Sequence, residues 1–271
     1  MGPTTYLYVP GNKLDFVEKA FNKGAENIFI DLEDSIPVQL KSAVRDSVCN
    51  FLKEGKPSNI YVRINSIDSF QEEDIYALNK IKFKNIVIPK LEKNSAIIKK
   101  GLHKKFEKII GLIETAHGLN ELKDIGQILN LERVGIGEVD FAADLGITEE
   151  EKYLEFYRSK LVYLSRLINL PKPIGGVFKN FTDMGALENF ANELSKLGFG
   201  SMQLIHPNQI EVVRKVFTPS NEEIENARKL LDSISKNQDS GVGVFVNEKG
   251  DIVDAAMIRK AEEILNFIEK L

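Results

Sequence analysis

A chain of 271 residues with 43% hydrophobic and 28% charged side chains has the composition of a globular protein with a large buried core. Its net charge of −4 gives no electrostatic reason to expect nucleic acid or an anionic membrane as partner. No apolar run nears the roughly 20 residues needed to span a bilayer, and the single cysteine, Cys49, excludes an internal disulfide. Cys49 shares an apolar stripe with Val44, Val48 and Leu52, so it reads as a buried, inert thiol. Met1-Gly-Pro-Thr-Thr carries neither a basic segment nor an apolar export segment, and Pro3 disfavours lipidation at Gly2. The expected compartment is the cytoplasm.

In chain order, eight runs read as strands: Tyr6–Val9, Asn27–Asp31, Ile60–Ile64, Asn85–Pro89, Ile109–Glu114, Arg133–Gly137, Ile174–Phe178 and Met202–His206. Between them lie patterns of helical period, such as Leu14-Phe16-Val17-Ala20-Phe21 and Leu187-Phe190-Ala191-Leu194-Leu197. Strands alternating with helices imply βαβ units and a parallel sheet. Eight units favour closure into an α/β fold of the (β/α)8 TIM-barrel type over residues 1–216. An open doubly wound sheet usually carries a glycine-rich phosphate loop after its first strand, and here that turn is only Val9-Pro-Gly-Asn12. From about 217 to 271 the pattern changes. Ser220 and Glu223 form a capping-box signature for a helix to about Ser235. A glycine-rich hairpin over Ser240–Asp254 and a final amphipathic helix from Ala255 to Leu271 follow. This segment is too small for a core of its own and is expected to lie as a lid on the barrel or on an adjacent subunit.

Active sites of such barrels form at the C-terminal ends of the strands. There this chain places Asp31, Glu33 and Asp34 after strand two, Arg63 and Asn65 at strand three and Lys90 after strand four. Glu114 closes strand five, Asp140 follows strand six and His206 ends strand eight. Taken singly, each reads as a helix cap, a solvated loop residue or a rim ion pair. Acids and bases from several strands on one rim point instead to a site. The central stretches are Ile109-Ile-Gly-Leu-Ile-Glu-Thr-Ala-His-Gly118 and Val134-Gly-Ile-Gly-Glu-Val-Asp-Phe141, apolar runs that stop in carboxylates. Two carboxylates with retained waters are the usual complement of Mg²⁺.

Eight motifs in order carry a resemblance over almost the whole chain: Leu7-Tyr-Val-Pro-Gly-Asn12, Asp31-Leu-Glu-Asp-Ser35, Val62-Arg-Ile-Asn65, Pro89-Lys90, Glu114-Thr-Ala-His-Gly118, Asp140-Phe141, Ile205-His-Pro-Asn-Gln209 and Gly250-Asp-Ile-Val-Asp254. The sequence resembles the citrate lyase β-subunit family, with malyl-CoA and citramalyl-CoA lyases, in the HpcH/HpaI aldolase superfamily. The resemblance implies a Mg²⁺-dependent carbon–carbon lyase, with Mn²⁺ as a substitute metal, that cleaves a β-hydroxyacyl-CoA into a 2-oxo acid and an acyl-CoA. It assigns Glu114 and Asp140 as metal ligands and Glu33 and Asp34 as groups orienting metal-bound water. Arg63 becomes the catalytic donor to the oxygen that turns anionic, or to a substrate carboxylate. Lys90 is a further candidate for substrate binding, through a substrate carboxylate, or for pairing with a nearby acidic group. Asp254, in family members often lent by a neighbouring subunit, handles the proton at the thioester carbon. A homotrimer or hexamer is implied, with an acyl-carrier protein or other citrate lyase subunits as further candidate partners.

Glu138 and Asp144, close to Asp140 in sequence, are alternative oxygen donors, while His117 and His206 read as structural rim residues. The chain departs from the family pattern at Pro3-Thr4, where an arginine is usual, at Ile174-Gly-Gly176, where strand seven usually holds an aspartate, and after Asp254, where a proline is usual. All three lie on the thioester side. Two other readings stand beside the first: a CoA-independent 2-oxo acid aldolase, and an idle subunit of a larger lyase assembly.

Overall fold

The computed structural model describes residues 4–53, 55, 57–67, 69–237, 245–246 and 252–269. Eight strands are present: β1 (Thr5–Pro10), β2 (Asn27–Asp31), β3 (Ile60–Arg63), β4 (Asn85–Ile88), β5 (Lys108–Ile113), β6 (Arg133–Ile136), β7 (Ile174–Gly175) and β8 (Ser201–Leu204). Each pairs in parallel with its neighbour, and β8 returns to β1 through Thr5↔Met202, Tyr6↔Gln203 and Leu7↔Leu204, closing the barrel. The expected (β/α)8 architecture is the one found.

The helices between them are α1 (Asp15–Asn22), α2 (Lys41–Leu52), α3 (Gln71–Lys80), α4 (Ala96–Lys99), α5 (Ala116–Ile128), α6 (Glu138–Leu145), α7 (Glu151–Leu167), α8 (Met184–Leu197) and α9 (Gln209–Phe217). Successive residues of a strand face opposite sides, and this sorts the core into two layers. Tyr6, Phe29, Tyr61, Val87, Ile110, Leu112 and Ile174 fill the lumen. Their sequence neighbours, among them Leu7, Ile28, Ile30, Ile60, Val62, Ile86, Ile88, Ile109 and Ile113, pack outward with helix residues such as Val48, Leu122 and Leu194. The fully buried lumen aromatics meet edge to face, with Phe29 and Tyr61 centroids 5.8 Å apart, and the interior is packed rather than hollow.

Strand seven is much shorter than the expected Ile174–Phe178. Only Ile174 and Gly175 keep strand geometry, and a single register pair, Gly135↔Ile174, ties β7 to β6. A Cβ on Gly175 would lie 2.5 Å from Leu194 Cδ1, and one on Gly176 would lie 2.9 Å from the Glu138 carboxyl carbon. Side chains at 175 and 176 would have no room beside Leu194 and Glu138.

The barrel, through Phe217, is one compact unit, and the chain from Thr218 onward belongs to a second. In the second, α10 (Asn221–Asn237) begins with the expected capping box: Glu223 N–H donates to Ser220 Oγ at 3.2 Å and Ser220 N–H to Glu223 Oε2 at 2.8 Å. Of the expected hairpin, β9 (Phe245–Val246) and β10 (Ile252–Val253) are paired antiparallel. The rest of it, with Gly250 and Asp251, lies outside the described residues, as do Met1, Gly2 and Pro3. Asp254 caps α11 (Ala255–Ile268), its Oδ1 accepting from Ala256 and Met257 N–H at 2.9 Å each. Among the described residues no helix is long and apolar enough to cross a membrane.

One glycine of the barrel is fixed by its neighbour. A Cβ on Gly137 would sit 2.5 Å from Glu114 Oε1 and 2.6 Å from its Cγ, and Glu114 is buried with no free volume to retreat into. Gly137→Ala is expected to destabilise the barrel by about 1–3 kcal/mol through overpacking. A lowered Tm in thermal unfolding checks it; an unchanged Tm would show that the Glu114 carboxylate moves aside freely.

Candidate active site

The inward parity of the lumen layer continues to the C-terminal mouth. Tyr8 follows Tyr6, Asp31 follows Phe29, Arg63 follows Tyr61 and Glu114 follows Leu112, each two residues on. Apolar burial of the strand therefore aims these polar groups at one point.

Arg63 lies at the centre of the first cluster, 9% exposed. Its Nε and Nη2 donate to the two Asp31 oxygens at 2.7 and 2.8 Å, a bidentate pair. Its Nη1 faces Glu33 Oε2 at 3.3 Å and Asp34 Oδ2 at 3.2 Å, and the guanidinium carbon lies 4.6 Å from the Tyr8 ring centroid. Asp31 also accepts from Glu33 N–H at 2.9 Å and Ser35 N–H at 3.0 Å. Burial works against its charge, yet Arg63 and these donors hold its carboxyl below the usual carboxylate range. Tyr8 donates its hydroxyl to Gln203 Oε1 at 2.7 Å, and Gln203 Nε2 donates to Ile136 and Gly175 carbonyls. This joins β1, β6, β7 and β8 beneath the mouth.

The second cluster surrounds Glu114, 3% exposed. Lys90 donates its main-chain N–H to Glu114 Oε2 at 3.1 Å, and its Nζ lies 3.3 Å from Asp140 Oδ1. Lys90 is one of three non-glycine residues with positive φ, at 45°, among the described residues. The strained backbone turns its N–H to one carboxylate and its ammonium to another. Asp140 occupies the first turn of α6, where fully buried Phe141 anchors the helix, its ring centroid 5.1 Å from that of Tyr157. Glu114 is followed by Thr115, which caps α5 by accepting from Gly118 N–H at 2.9 Å.

The carboxyl groups lie in one field. Burial, then the neighbouring charge of Glu33 and, more weakly, of Asp140, raises the Glu114 carboxyl well above its usual range. Burial, with Asp34 and Asp31 adding to it against Arg63 and Lys90, pushes Glu33 up to about 7. Glu33 Oε2 is buried and meets no donor in hydrogen-bonding geometry. Excess carboxylate, an orphaned buried oxygen and one tethered ammonium describe a place that attracts cations. The donors are all oxygen, the set preferred by a hard divalent ion. Among the described residues no group of three or more His, Cys, Asp or Glu forms a metal cage. A pair of carboxylates completed by water remains the relevant arrangement.

The alternative donors near Asp140 are engaged elsewhere. Glu138 is buried and forms a bidentate pair with Arg158 at 2.8 and 2.7 Å. Asp144 accepts Ala116 N–H at 2.8 Å. His117 is exposed. His206 Nδ1 accepts from Asn208 N–H at 3.2 Å while its ring stacks on Phe181, centroids 4.8 Å apart. Asp31, named at sequence level only as a rim acid, emerges as the group that aims Arg63, and Tyr8 and Gln203 were legible only as members of the lumen parity. Asp254 is described only as the exposed cap of α11.

A closed parallel barrel that gathers a buried arginine and several carboxylates at its C-terminal mouth has the layout of a barrel enzyme's active site. The chain belongs to the HpcH/HpaI aldolase/citrate lyase family, whose sequence profile matches residues 4–207. It is 29% identical to the human mitochondrial citramalyl-CoA lyase over 96% of this chain and 84% of that protein. It is 27% identical to the citrate lyase subunit beta of Leuconostoc mesenteroides subsp. cremoris, over 97% and 92%. Among solved structures it is similar to the protein CitE of Mycobacterium tuberculosis in complex with magnesium, acetoacetate and coenzyme A, with a TM-score of 0.81 and 25% identity over 97% of both chains. With that family membership the chain is an enzyme, a carbon–carbon lyase.

The raised carboxyls set a pH dependence in the absence of divalent cation. Between its ordinary value of 4.5 and about 7, Glu33 is protonated in the folded chain and ionised in the unfolded one. The folded state then binds more protons, so stability falls as pH rises through that window, and Glu114 acts in the same direction. Tm in chelator-treated buffer is expected to decline from about pH 5 to about pH 7.5, and Mg²⁺ is expected to offset the decline. A Tm that rises across this range would remove the assignment.

Proposed function

We propose that the protein is a Mg²⁺-dependent lyase that cleaves a β-hydroxyacyl-CoA, of the citramalyl-, malyl- or citryl-CoA type, into a 2-oxo acid and an acyl-CoA. The observation that carries the reading is the convergence of Glu114 and Asp140 on one residue, Lys90, the first on its main-chain N–H and the second on its ammonium, beside the Asp31-oriented Arg63. The names of the relatives support the substrate class, and the bound magnesium and coenzyme A of the related structure support the cofactor.

In this reading Glu114 and Asp140 hold Mg²⁺. When bound there, the ion supplies Lewis-acid polarisation of the substrate hydroxyl and carboxylate oxygens. Arg63 donates to the oxygen that gains charge as the carbon–carbon bond opens. Because Asp31 fixes its fork beforehand, little reorganisation accompanies the reaction. Glu33 and Asp34 accept from waters around the cation, and Lys90 pairs with a substrate carboxylate. Asp254, lent by the adjacent subunit of a homotrimer or hexamer, carries the proton at the thioester carbon. Its support is the motif Gly250-Asp-Ile-Val-Asp254.

Calorimetric titration of acetyl-CoA into protein holding Mg²⁺ and pyruvate tests the whole reading. Saturable binding that needs the metal is expected, and Glu114→Gln is expected to abolish the metal dependence while leaving the far-UV spectrum unchanged. Mg²⁺-dependent pyruvate binding without acetyl-CoA binding would replace the CoA thioester by another acyl carrier or by none. Arg63→Lys is expected to lower kcat on the order of 10²-fold, the usual loss for one charge-stabilising donor, and a wild-type kcat would take Arg63 out of the chemistry. Asp254→Asn and Arg63→Ala proteins, each inactive alone, are expected to recover part of the turnover after subunit exchange. Mixtures that stay inactive would refute a tail acting in trans.

A further inference from the structure

Lys41, the first residue of α2, turns its side chain inward and is 6% exposed. An ammonium carries three protons, and all three are used. Nζ donates to Leu32 O at 2.9 Å, to Glu33 O at 2.7 Å and to Asn65 Oδ1. None of these acceptors is a carboxylate. Asn65 passes the connection on: its main-chain N–H and its Nδ2 both donate to Asp74 Oδ2 at 2.7 Å. Asp74, wholly buried, accepts Arg45 Nε at 2.6 Å on its other oxygen. Gln71 extends the network by donating to Asn65 O at 3.4 Å and accepting from Ala96 N–H at 2.9 Å. One buried polar network thus ties the loops after β2, β3 and β4 together behind the mouth of the barrel.

Its end at the β2 loop is completely specified. Leu32 N–H donates to Arg63 O at 3.0 Å and Glu33 N–H to Asp31 Oδ1 at 2.9 Å, while both carbonyls are held by Lys41. Every main-chain polar group of these two residues has a partner. Loops at barrel mouths are ordinarily the mobile part of the fold, and desolvating an ammonium without a counter-carboxylate is costly. An apolar residue would anchor the start of α2 with less penalty. What only the ammonium achieves is to fix the peptide from which Glu33 reaches toward Arg63 and Glu114.

We propose that Lys41 is a positioning residue, a tripod that locks the Leu32–Glu33 peptide so that Glu33 is held beside Arg63, which meets the oxo-acid substrate in one fixed geometry. This rests on the oxo-acid reading given above, and the test separates the two. Lys41→Met in the full-length chain is compared with wild type by hydrogen exchange and by calorimetry with Mg²⁺ alone and with Mg²⁺ plus pyruvate. Exchange of a peptide spanning residues 31–36 is expected to rise on the order of tenfold or more while β5 and β6 keep their protection. Mg²⁺ affinity is expected to fall less than pyruvate affinity, because the network reaches the ion only through Glu33 and touches neither Glu114 nor Asp140, and pyruvate affinity to fall on the order of tenfold. Unchanged exchange over 31–36, or wild-type pyruvate binding in Lys41→Met, overturns the proposal. So does a loss of Mg²⁺ binding in step with pyruvate binding, which would mark a general collapse of the rim. Wild-type protein that binds no pyruvate sinks the oxo-acid reading instead, and the exchange measurement still decides the role of Lys41. If Lys41→Met does not fold, Asn65→Ala removes one leg of the tripod and is expected to show the same pattern at smaller amplitude, with no change overturning the proposal.

Discussion

In a closed parallel barrel every second residue of a strand faces the lumen, and at the mouth there is no room for more than a few side chains. That constraint governs this protein. Tyr6, Phe29, Tyr61 and Leu112 fill the interior, and the next inward residues on the same strands are Tyr8, Asp31, Arg63 and Glu114. Charge is carried to the rim by the packing of the layer beneath it. Slipping β2 or β3 by one residue would exchange Asp31 or Arg63 for an aliphatic neighbour such as Ile30 or Val62 and leave the charge among the helices. The apolar core and the site are therefore one design, and β6 shows it from the other side. Gly137, inward by the same parity, leaves the volume that the Glu114 carboxylate occupies.

Bringing acids together in a dry place raises their proton affinity, and the structure divides that problem between two clusters. Asp31 remains below the usual range because Arg63 grips both its oxygens. Glu114 and Glu33 have no such bidentate partner; burial pushes both upward, with Glu33 adding to the shift of Glu114 and Asp34 and Asp31 to that of Glu33. A paired carboxylate serves to aim a cationic side chain. A desolvated one without that grip favours a cation nearby, and Lys90 gives Glu114 its main-chain N–H from a strained backbone while its ammonium reaches Asp140 at 3.3 Å. The contrast in local partners, rather than in residue type, separates the orienting acid from the acids proposed to bind metal.

What the sequence made legible follows from how local each cause is. Eight strands announce themselves as short runs, and the carboxylates that end or follow several of them stand out because polar residues interrupt those runs. The capping box at Ser220 and Glu223 is a contact between neighbours in the chain and could be read directly. The length of β7 could not, since its pairing with β6 is the single pair Gly135↔Ile174, between residues far apart in sequence. Lys41 was invisible for the same reason. In sequence it is one lysine at the start of an ordinary helix, and its three acceptors come from residues 32, 33 and 65. Asp31 looked equivalent to Glu33 and Asp34 until the register Asp31↔Arg63 placed it beside the guanidinium.

The seventh strand also shapes the framework of the site. The space a side chain at Gly176 would take holds the carboxylate of Glu138, in the first turn of α6. That buried charge has a cost and a consequence. Glu138 is buried, so it requires the bidentate grip of Arg158, which lies on α7 and whose guanidinium carbon is 5.1 Å from the Phe190 ring centroid. A carboxylate clamped in this way is no longer free to accept from a substrate. It instead holds the helix that carries Asp140 two residues further on. Glu138 is thus part of the framework beneath a proposed metal ligand rather than of the pocket wall.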